Sequence, residues 1–542
     1  MKRFRLLHKF ELLSTRYRLG LSFLVVTAGI VGLDLISNML LSRLVPGLSL
    51  GDSLGIGFAP EVWLAVVGLT LGTLVIVISI AAQTIPKIAD LYRKDWNSLF
   101  FIWFLMGGSA HAVYLKVLQD SGQAAPSSLL LNLFCFLPIA ILSGFPYVLY
   151  VLKNIQPETV INIIIRRHSS LLHGLSDPAV QRSFDTYKYR RTYHRNLLDG
   201  LNQLESIFGY VAFKEPKAQI IQSLGNLLQE YIWMKSSISQ NFFAVSAAVE
   251  ADIAFQTMTD QLQSLQHQRT LYEQKCFRVL GNAYISSLES QDFDLASLCG
   301  AKVEQVGLTA IQANDTRLLD ATVIRMNTLM RFALKHGQVH GEARHLYNLV
   351  YHYRRFIEHL IDHAQPAQAK RCVFYLRSYG NEAYRAGLRS PSLLFIVDVI
   401  AAEMRTVLIR GYHAQWSLDI QRALLEEFLL VDSPPELTST SVEPNQTTNS
   451  GVRTLQISLA LFYLRVEMLD FVDLIIDDIL DDRAILGAET FQAIIDRTCR
   501  RLEAIAPDYW EATDRGTQNI FFTEDTDYLP NFMQRLASRI NT

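Results

Sequence analysis

The chain has 542 residues, half of them hydrophobic and 19% charged, and a net charge of −2, so it carries no bulk charge with which to hold nucleic acid. Its slightly positive mean hydropathy is unusual for a wholly water-soluble chain of this length. Five scattered cysteines (Cys135, Cys276, Cys299, Cys372 and Cys499) with no CxxC pair argue against a disulfide framework or a zinc site and suit a reducing compartment.

Residues 1–18 form a basic amphipathic segment, with Lys2, Arg3, Arg5, Lys9, Arg16 and Arg18 among Phe4, Leu6, Leu7 and Phe10, suited to an anionic membrane surface. The run 19–41 is longer than a signal-peptide core and reads as a first membrane span. Val62 to Ala82 follows without a single charge, long enough as a helix to cross the ~30 Å hydrocarbon layer. Spans three and four fall at 98–115 and 129–152, the last expected to bend at Pro138 and Pro146. A transmembrane domain over 19–152 results. Lys and Arg concentrate before span one, between spans two and three (Lys87, Arg93, Lys94) and after span four (Lys153, Arg166, Arg167). Both termini are therefore expected in the cytoplasm of a bacterial inner membrane.

Polar residues inside spans need partners. Asp34 and His111 fall at matching depth, roughly 20 to 23 Å from the inner face at ~1.5 Å per residue. The expectation is a pair satisfied within the bundle, with Lys116 one turn further out, and the competing reading is a proton- or ion-sensitive site. Gly68 and Gly72, near Thr70 and Thr73, and Gly107 and Gly108 are small residues that let helices approach closely, or line a pore in an oligomer together with Gln83 and Thr84.

The passages SIAAQTIPKIADLYRKD (Ser79 to Asp95) and VLKNIQPETVINIIIRRH (Val151 to His168) resemble a family of bacterial integral membrane proteins with four spans and no established chemistry. The resemblance covers about the first third of the chain. It implies location and architecture, and no catalytic residues.

From 153 to 432 the pattern predicts a cytosolic helical domain. Pro157 to Gly174 reads as one helix. In TYKYRRTYHR (Thr186 to Arg195), Lys188, Arg190 and Arg191 alternate with tyrosines, a pattern that suits lipid headgroups better than nucleic acid in a tethered protein, or a plain solvated face. Helix starts recur near Asp294, Thr316, Glu342, Pro366, Ser392 and Ala414, marked by caps and breakers. Pairs of roughly 48 residues approach the HEAT and armadillo range and favour a stack of helical hairpins, an α-solenoid. Leu346, Leu349, Val350, Tyr353, Phe356, Ile357, Leu360 and Ile361 form one apolar stripe. His345, His352, His359 and His363 run beside it, within about 40° of one another at ~100° per residue. They could share a metal or sense pH, but HLIDH lacks the HExxH order, and partly exposed histidines beside Arg and Tyr are expected.

A polar, proline-containing linker spans 433–451, and a C-terminal helical segment 452–542. In the latter, FVDLIIDDILDDR (Phe471 to Arg483) resembles the aspartate-rich motif with which prenyl diphosphate synthases hold magnesium. Asp477, Asp478, Asp481 and Asp482 could bridge a hard cation. No second motif accompanies them, so solvated aspartates beside a packed apolar face are expected. Trp510, Phe521, Phe522 and Tyr528 suggest a packed C-terminal cap.

The sequence thus predicts an all-α protein, a four-helix transmembrane domain followed by a large cytosolic helical domain. The expected function is a non-catalytic, membrane-anchored scaffold or sensor that offers a cytosolic surface to a protein partner. An oligomeric ion or small-solute channel gated by that domain is the alternative, and magnesium-dependent prenyl chemistry a third. Lipid, further copies of the chain and a cytosolic protein are the expected partners, with no cofactor, no metal and no nucleic acid.

Overall fold

The computed structural model describes residues 15–44, 56–84, 95–123, 125–387, 390–432, 450–513 and 516–540. Most of the basic N-terminal segment, the loop between spans two and three, and the linker 433–449 lie outside the described residues, as do the side chains of Gln83 and Thr84. Two compact units emerge. One holds the residues up to Arg182 together with Arg195–Ile220, the other Ser183–His194 and everything from Ile221 onward.

In the first unit, four helices are long and apolar enough to cross a membrane: α1 (Thr15–Leu44), α2 (Ala59–Thr84), α3 (Trp96–Asp120) and α4 (Pro126–Ile155). Hydrophobic side chains point outward as well as inward, Leu35, Leu64, Leu69, Leu142 and Phe145 all being exposed. A helix apolar all round needs an apolar solvent, and lipid supplies one. Helix α3 packs against α1 and α2, and α4 against α2. Helix α4 stays helical through Pro138 and Pro146, with one widened π-helical turn at Asn132–Phe136. Pro138 brings no N–H and pushes its ring toward the carbonyl four residues back, and the wider turn just before it absorbs the mismatch. Helix α5 (Pro157–Gly174) starts after a single residue, Gln156. It buries Val160, Ile161, Ile164, His168, Leu171 and Leu172. Next come α6 (Tyr187–Tyr210) and α7 (Lys214–Met234).

The second unit is a two-layered stack. Its helices are α8 (Leu271–Glu289), α9 (Phe293–Gln312), α10 (Thr316–His340), α11 (Arg344–Asp362), α12 (Pro366–Gly387), α13 (Pro391–His413), α14 (Leu418–Leu429), α15 (Ser450–Arg465), α16 (Leu469–Leu486) and α17 (Ala488–Ala504). Each packs on the helix two further along and, α14 with α15 excepted, on its chain neighbour. Helices α9, α11, α13, α15 and α17 therefore make one layer and α8, α10, α12, α14 and α16 the other. This is the solenoid logic of adjacent-only contacts. All eight residues of the α11 stripe are buried in it.

The stack hides a repeat that residue identities do not display. Six non-glycine residues among those described adopt positive φ: Arg269, Gln291, Asn314, Ala364, Gln415 and Glu467. At each, the N–H of that residue reaches the carbonyl three back, and the next N–H reaches five back, as in Asn314 to Ile311 with Asp315 to Ala310, or Ala364 to Ile361 with Gln365 to Leu360. These are Schellman turns, which close a helix and satisfy its last carbonyls. Consecutive helices run antiparallel, so alternate turns share an edge, and on one edge Asn314, Ala364, Gln415 and Glu467 follow at steps of about 50 residues.

The C-terminal cap departs from an all-helical reading only in a small antiparallel hairpin, β1 (Asp508–Thr513) with β2 (Gly516–Gln518). Phe521 is buried, and Arg405 donates to the carbonyls of Ile520 and Phe522. Helix α18 (Leu529–Ile540) buries Leu529, Phe532 and Leu536 against α15 and α16.

Candidate functional site

The membrane bundle contains a polar column. Asn132 opens the widened turn of α4, and its side chain is fully buried. Its oxygen accepts a hydrogen bond from Trp63 Nε1 at 3.0 Å, while its nitrogen donates to the Gly108 carbonyl at 3.3 Å and lies 3.1 Å from His111 Nδ1. Because that amide nitrogen is a donor, His111 Nδ1 must accept, which leaves the ring proton on Nε2, 3.9 Å from Asp34 Oδ2. The second Asp34 oxygen is buried with no partner among the described residues. One helical turn along α1, Asn38 Nδ2 donates to Ser128 Oγ at 3.2 Å, and the Ser127 hydroxyl donates to Asn38 Oδ1. Near the same end, the Ile56 N–H donates to Gln119 Oε1.

The column needs close backbone approach. A Cβ on Gly107 would stand 2.7 Å from Ile30 Cδ1, and one on Gly108 2.3 Å from the Trp63 ring. Both glycines let α3 press onto α1 and α2. Gly68 and Gly72 differ, since a Cβ at either meets nothing within 4 Å; they face away from the bundle. Lys116 is half-buried one turn beyond His111 and makes no ion pair with Asp34 among the described residues.

Toward the other end the interior is apolar. Leu74, Tyr147 and Val151 are packed with Phe101 and Ile102, and the Phe101 and Tyr147 rings stack at 4.0 Å. Polar contacts resume at the start of α3, where Asp95 caps the helix through Ser98 N and Oγ and accepts from Tyr150. The structure therefore joins Asp34 to His111 and adds Asn132, Trp63, Asn38 and Ser127. Sequence reasoning missed those additions because an Asn or a Trp in an apolar span names no partner.

In the second unit, the predicted clusters are spent on internal pairs. His352 Nδ1 lies 2.9 Å from Glu304 Oε2, and His359 Nε2 3.3 Å from Glu304 Oε1. Burial pushes the Glu304 carboxyl up, but the two imidazoles outweigh it and hold it below its ordinary value. His345 is buried, donates to the Ala333 carbonyl at 2.7 Å, and is driven down to about 4 by burial; His363 is exposed. The expectation of a partly exposed row fails at His345, whose turn of α11 is covered by Phe293 and the α10 backbone. Among the described residues no three His, Cys, Asp or Glu side chains converge as a metal site.

The aspartate-rich stretch is likewise engaged. Arg453 is 5% exposed and donates to Asp482 at 2.5 and 3.0 Å and to Asp478 at 2.8 Å. Asp477 pairs with Arg539, and Asp473 with Arg535. Burial raises Asp478 to about 6, partly offset by Arg453. Asp478 and Asp482 thus face protein, and the expectation that the aspartates face water holds for Asp477 and Asp481 alone.

In the tyrosine-rich stretch, Arg190 donates to the Phe184 carbonyl and lies over the Tyr187 ring, while Tyr189 and Tyr193 pack on Phe184. Only Lys188 and Arg191 of that trio are exposed. No family model, no curated protein and no solved structure matches this chain.

Proposed function

We propose that the protein is a non-catalytic integral membrane scaffold or sensor, anchored by α1–α4 and offering its helical stack to a protein partner. The observation that carries this reading is the two-layered stack with its turns recurring every 50 residues or so, an architecture whose faces are extended binding surfaces. The polar contacts support it from the other side: Arg453 engages Asp478 and Asp482, and Glu304 engages His352 and His359. The polar column favours an anchor over a conduit within one chain, because it stops at an apolar layer around Leu74 and Tyr147. The resemblance to four-span bacterial proteins and the distribution of Lys and Arg support an anchor in an inner membrane with both termini in the cytoplasm. Exposed Lys188 and Arg191 suit anionic headgroups there.

A channel formed by several copies is the second reading. It rests on Gly68 and Gly72, which face outward with room for another helix. Flux in proteoliposomes separates the two. The scaffold reading expects no conductance above that of empty vesicles, together with a soluble companion that co-purifies stoichiometrically in mild detergent. Ion flux altered by Asp34→Ala or Gly72→Leu would establish the channel instead.

A further inference from the structure

A cleft of about 690 Å³ opens where the end of α7 meets the turns before α8 and α10. That volume falls within the roughly 300–1,000 Å³ of small-molecule sites. Its lining includes Trp233, Lys235, His267, Arg269, Asn314 and Arg317. Lys235 Nζ sits 2.6 Å from both Glu273 and Asp315, and Asp315 also caps α10 through Leu318 N. Burial alone pulls Lys235 down, but the two carboxylates outweigh it and hold the ammonium above its ordinary value. The acidic groups at the cleft are thereby consumed.

The two arginines are not. Arg317 donates to the His267 carbonyl at 2.6 Å, and Arg269, two residues beyond that carbonyl in a left-handed turn, lies over the Phe243 ring at 5.4 Å. Neither has a carboxylate partner among the described residues, and both are exposed. Each therefore retains guanidinium N–H groups in the planar array that matches a phosphate. Trp233 lines the same cleft as the two cations and is 56% exposed, a large indole presented to water. Amides of Gln240, Gln268, Gln312 and Asn314 fill out the rim.

We propose that this cleft binds a small phosphate-bearing ligand with a planar ring, of the nucleoside diphosphate class, its phosphates on Arg269 and Arg317 and its ring against Trp233. The His267 carbonyl fixes one guanidinium and the Phe243 ring the other, so the pair is ordered before the ligand arrives. The buried Lys235, Glu273 and Asp315 cluster holds the two turns that carry them.

The test uses the full chain in detergent micelles, with ADP, inorganic pyrophosphate and adenosine as probes, read by calorimetry and tryptophan fluorescence. ADP is expected to bind saturably and quench fluorescence, pyrophosphate to bind more weakly and compete, and adenosine to bind weakest. Arg269→Ala with Arg317→Ala should weaken ADP at least tenfold, with the helical circular dichroism unchanged. Trp233→Phe should abolish the quench yet leave pyrophosphate binding intact, a readout that a misfolded variant cannot give. Raised salt should weaken the binding of both anions. Absence of saturable binding at millimolar ADP, wild-type affinity in the double alanine variant, or ADP binding no tighter than pyrophosphate would each overturn the proposal.

Discussion

Arg453→Leu tests whether the aspartate-rich stretch of α16 is structural. In the wild type one guanidinium serves Asp478 and Asp482, with Gln456 beside them and the buried Asp432 adding to the field. Leucine removes the guanidinium that Asp478 and Asp482 share and strands two carboxylates, that of Asp482 being 7% exposed. Breaking a buried pair from one side costs about 3–5 kcal/mol. At ~1.4 kcal/mol per tenfold, protection of α15 and α16 amides against hydrogen exchange should fall by about two to nearly four orders of magnitude. Local exchange is the suitable assay because a chain of two units need not unfold in one step. The sign with pH follows from Asp478, whose carboxyl already stands near 6 in the fold against 3.8 for the free side chain. A raised folded-state value favours the fold at low pH, and that advantage is lost as pH rises through it. The stranded carboxylates should move higher still, so the penalty should be largest at pH 8 and shrink toward pH 5. A loss under tenfold, or one independent of pH, would refute the structural role. Asp481→Asn, on the exposed side of α16, should change exchange little, within about 0.5 kcal/mol.

Acidification should destabilise the protein between pH 6.5 and 4, because burial holds His168, His194 and His345 down at about 4. Over that window the unfolded chain takes up protons that the fold refuses, at about 1.4 kcal/mol per pH unit for each histidine; a flat exchange profile across the helices that carry them would contradict this. Asn132→Leu should strand the Trp63 N–H and cost about 1–3 kcal/mol, seen as faster exchange in α2 and α4. Gly108→Ala drives a methyl into the Trp63 ring and should cost about 1–3 kcal/mol, whereas Gly72→Ala should leave the isolated bundle unchanged. At the left-handed Ala364, Ala364→Gly should be neutral or mildly stabilising, while Ala364→Val should speed exchange at the ends of α11 and α12 by about tenfold.

Helix positions were legible wherever a breaker marked them. The expected starts at Asp294, Thr316, Glu342, Pro366 and Ser392 lie within two residues of Phe293, Thr316, Arg344, Pro366 and Pro391. The start expected at Ala414 comes at Leu418, because the turn through Gln415 uses no glycine or proline. The same property hides the 50-residue repeat, since the turns are alike in backbone and differ in side chain. Depth arithmetic was enough to pair Asp34 with His111, as both fall on α1 and α3 at one level. Partners distant in sequence stayed invisible: Glu304 lies 48 residues before His352, and Arg453 25 residues before Asp478. Glycine stripes carry no facing information either, so Gly107 and Gly108 pack while Gly68 and Gly72 do not. The cleft at Trp233 gave no sequence signal, because its lining comes from three separate segments joined only by the fold.

Side-specific thiol labelling probes the membrane division most directly. The native cysteines of the stack are buried, so single thiols introduced as Gln123→Cys, between α3 and α4, and Ser176→Cys and Glu524→Cys, after α4, can be read with a membrane-impermeant maleimide. On intact cells with the outer membrane permeabilised, position 123 should label at once and positions 176 and 524 only after the inner membrane is opened. Labelling of all three before that opening, or of 176 or 524 ahead of 123, would contradict a four-span anchor with its stack in the cytoplasm.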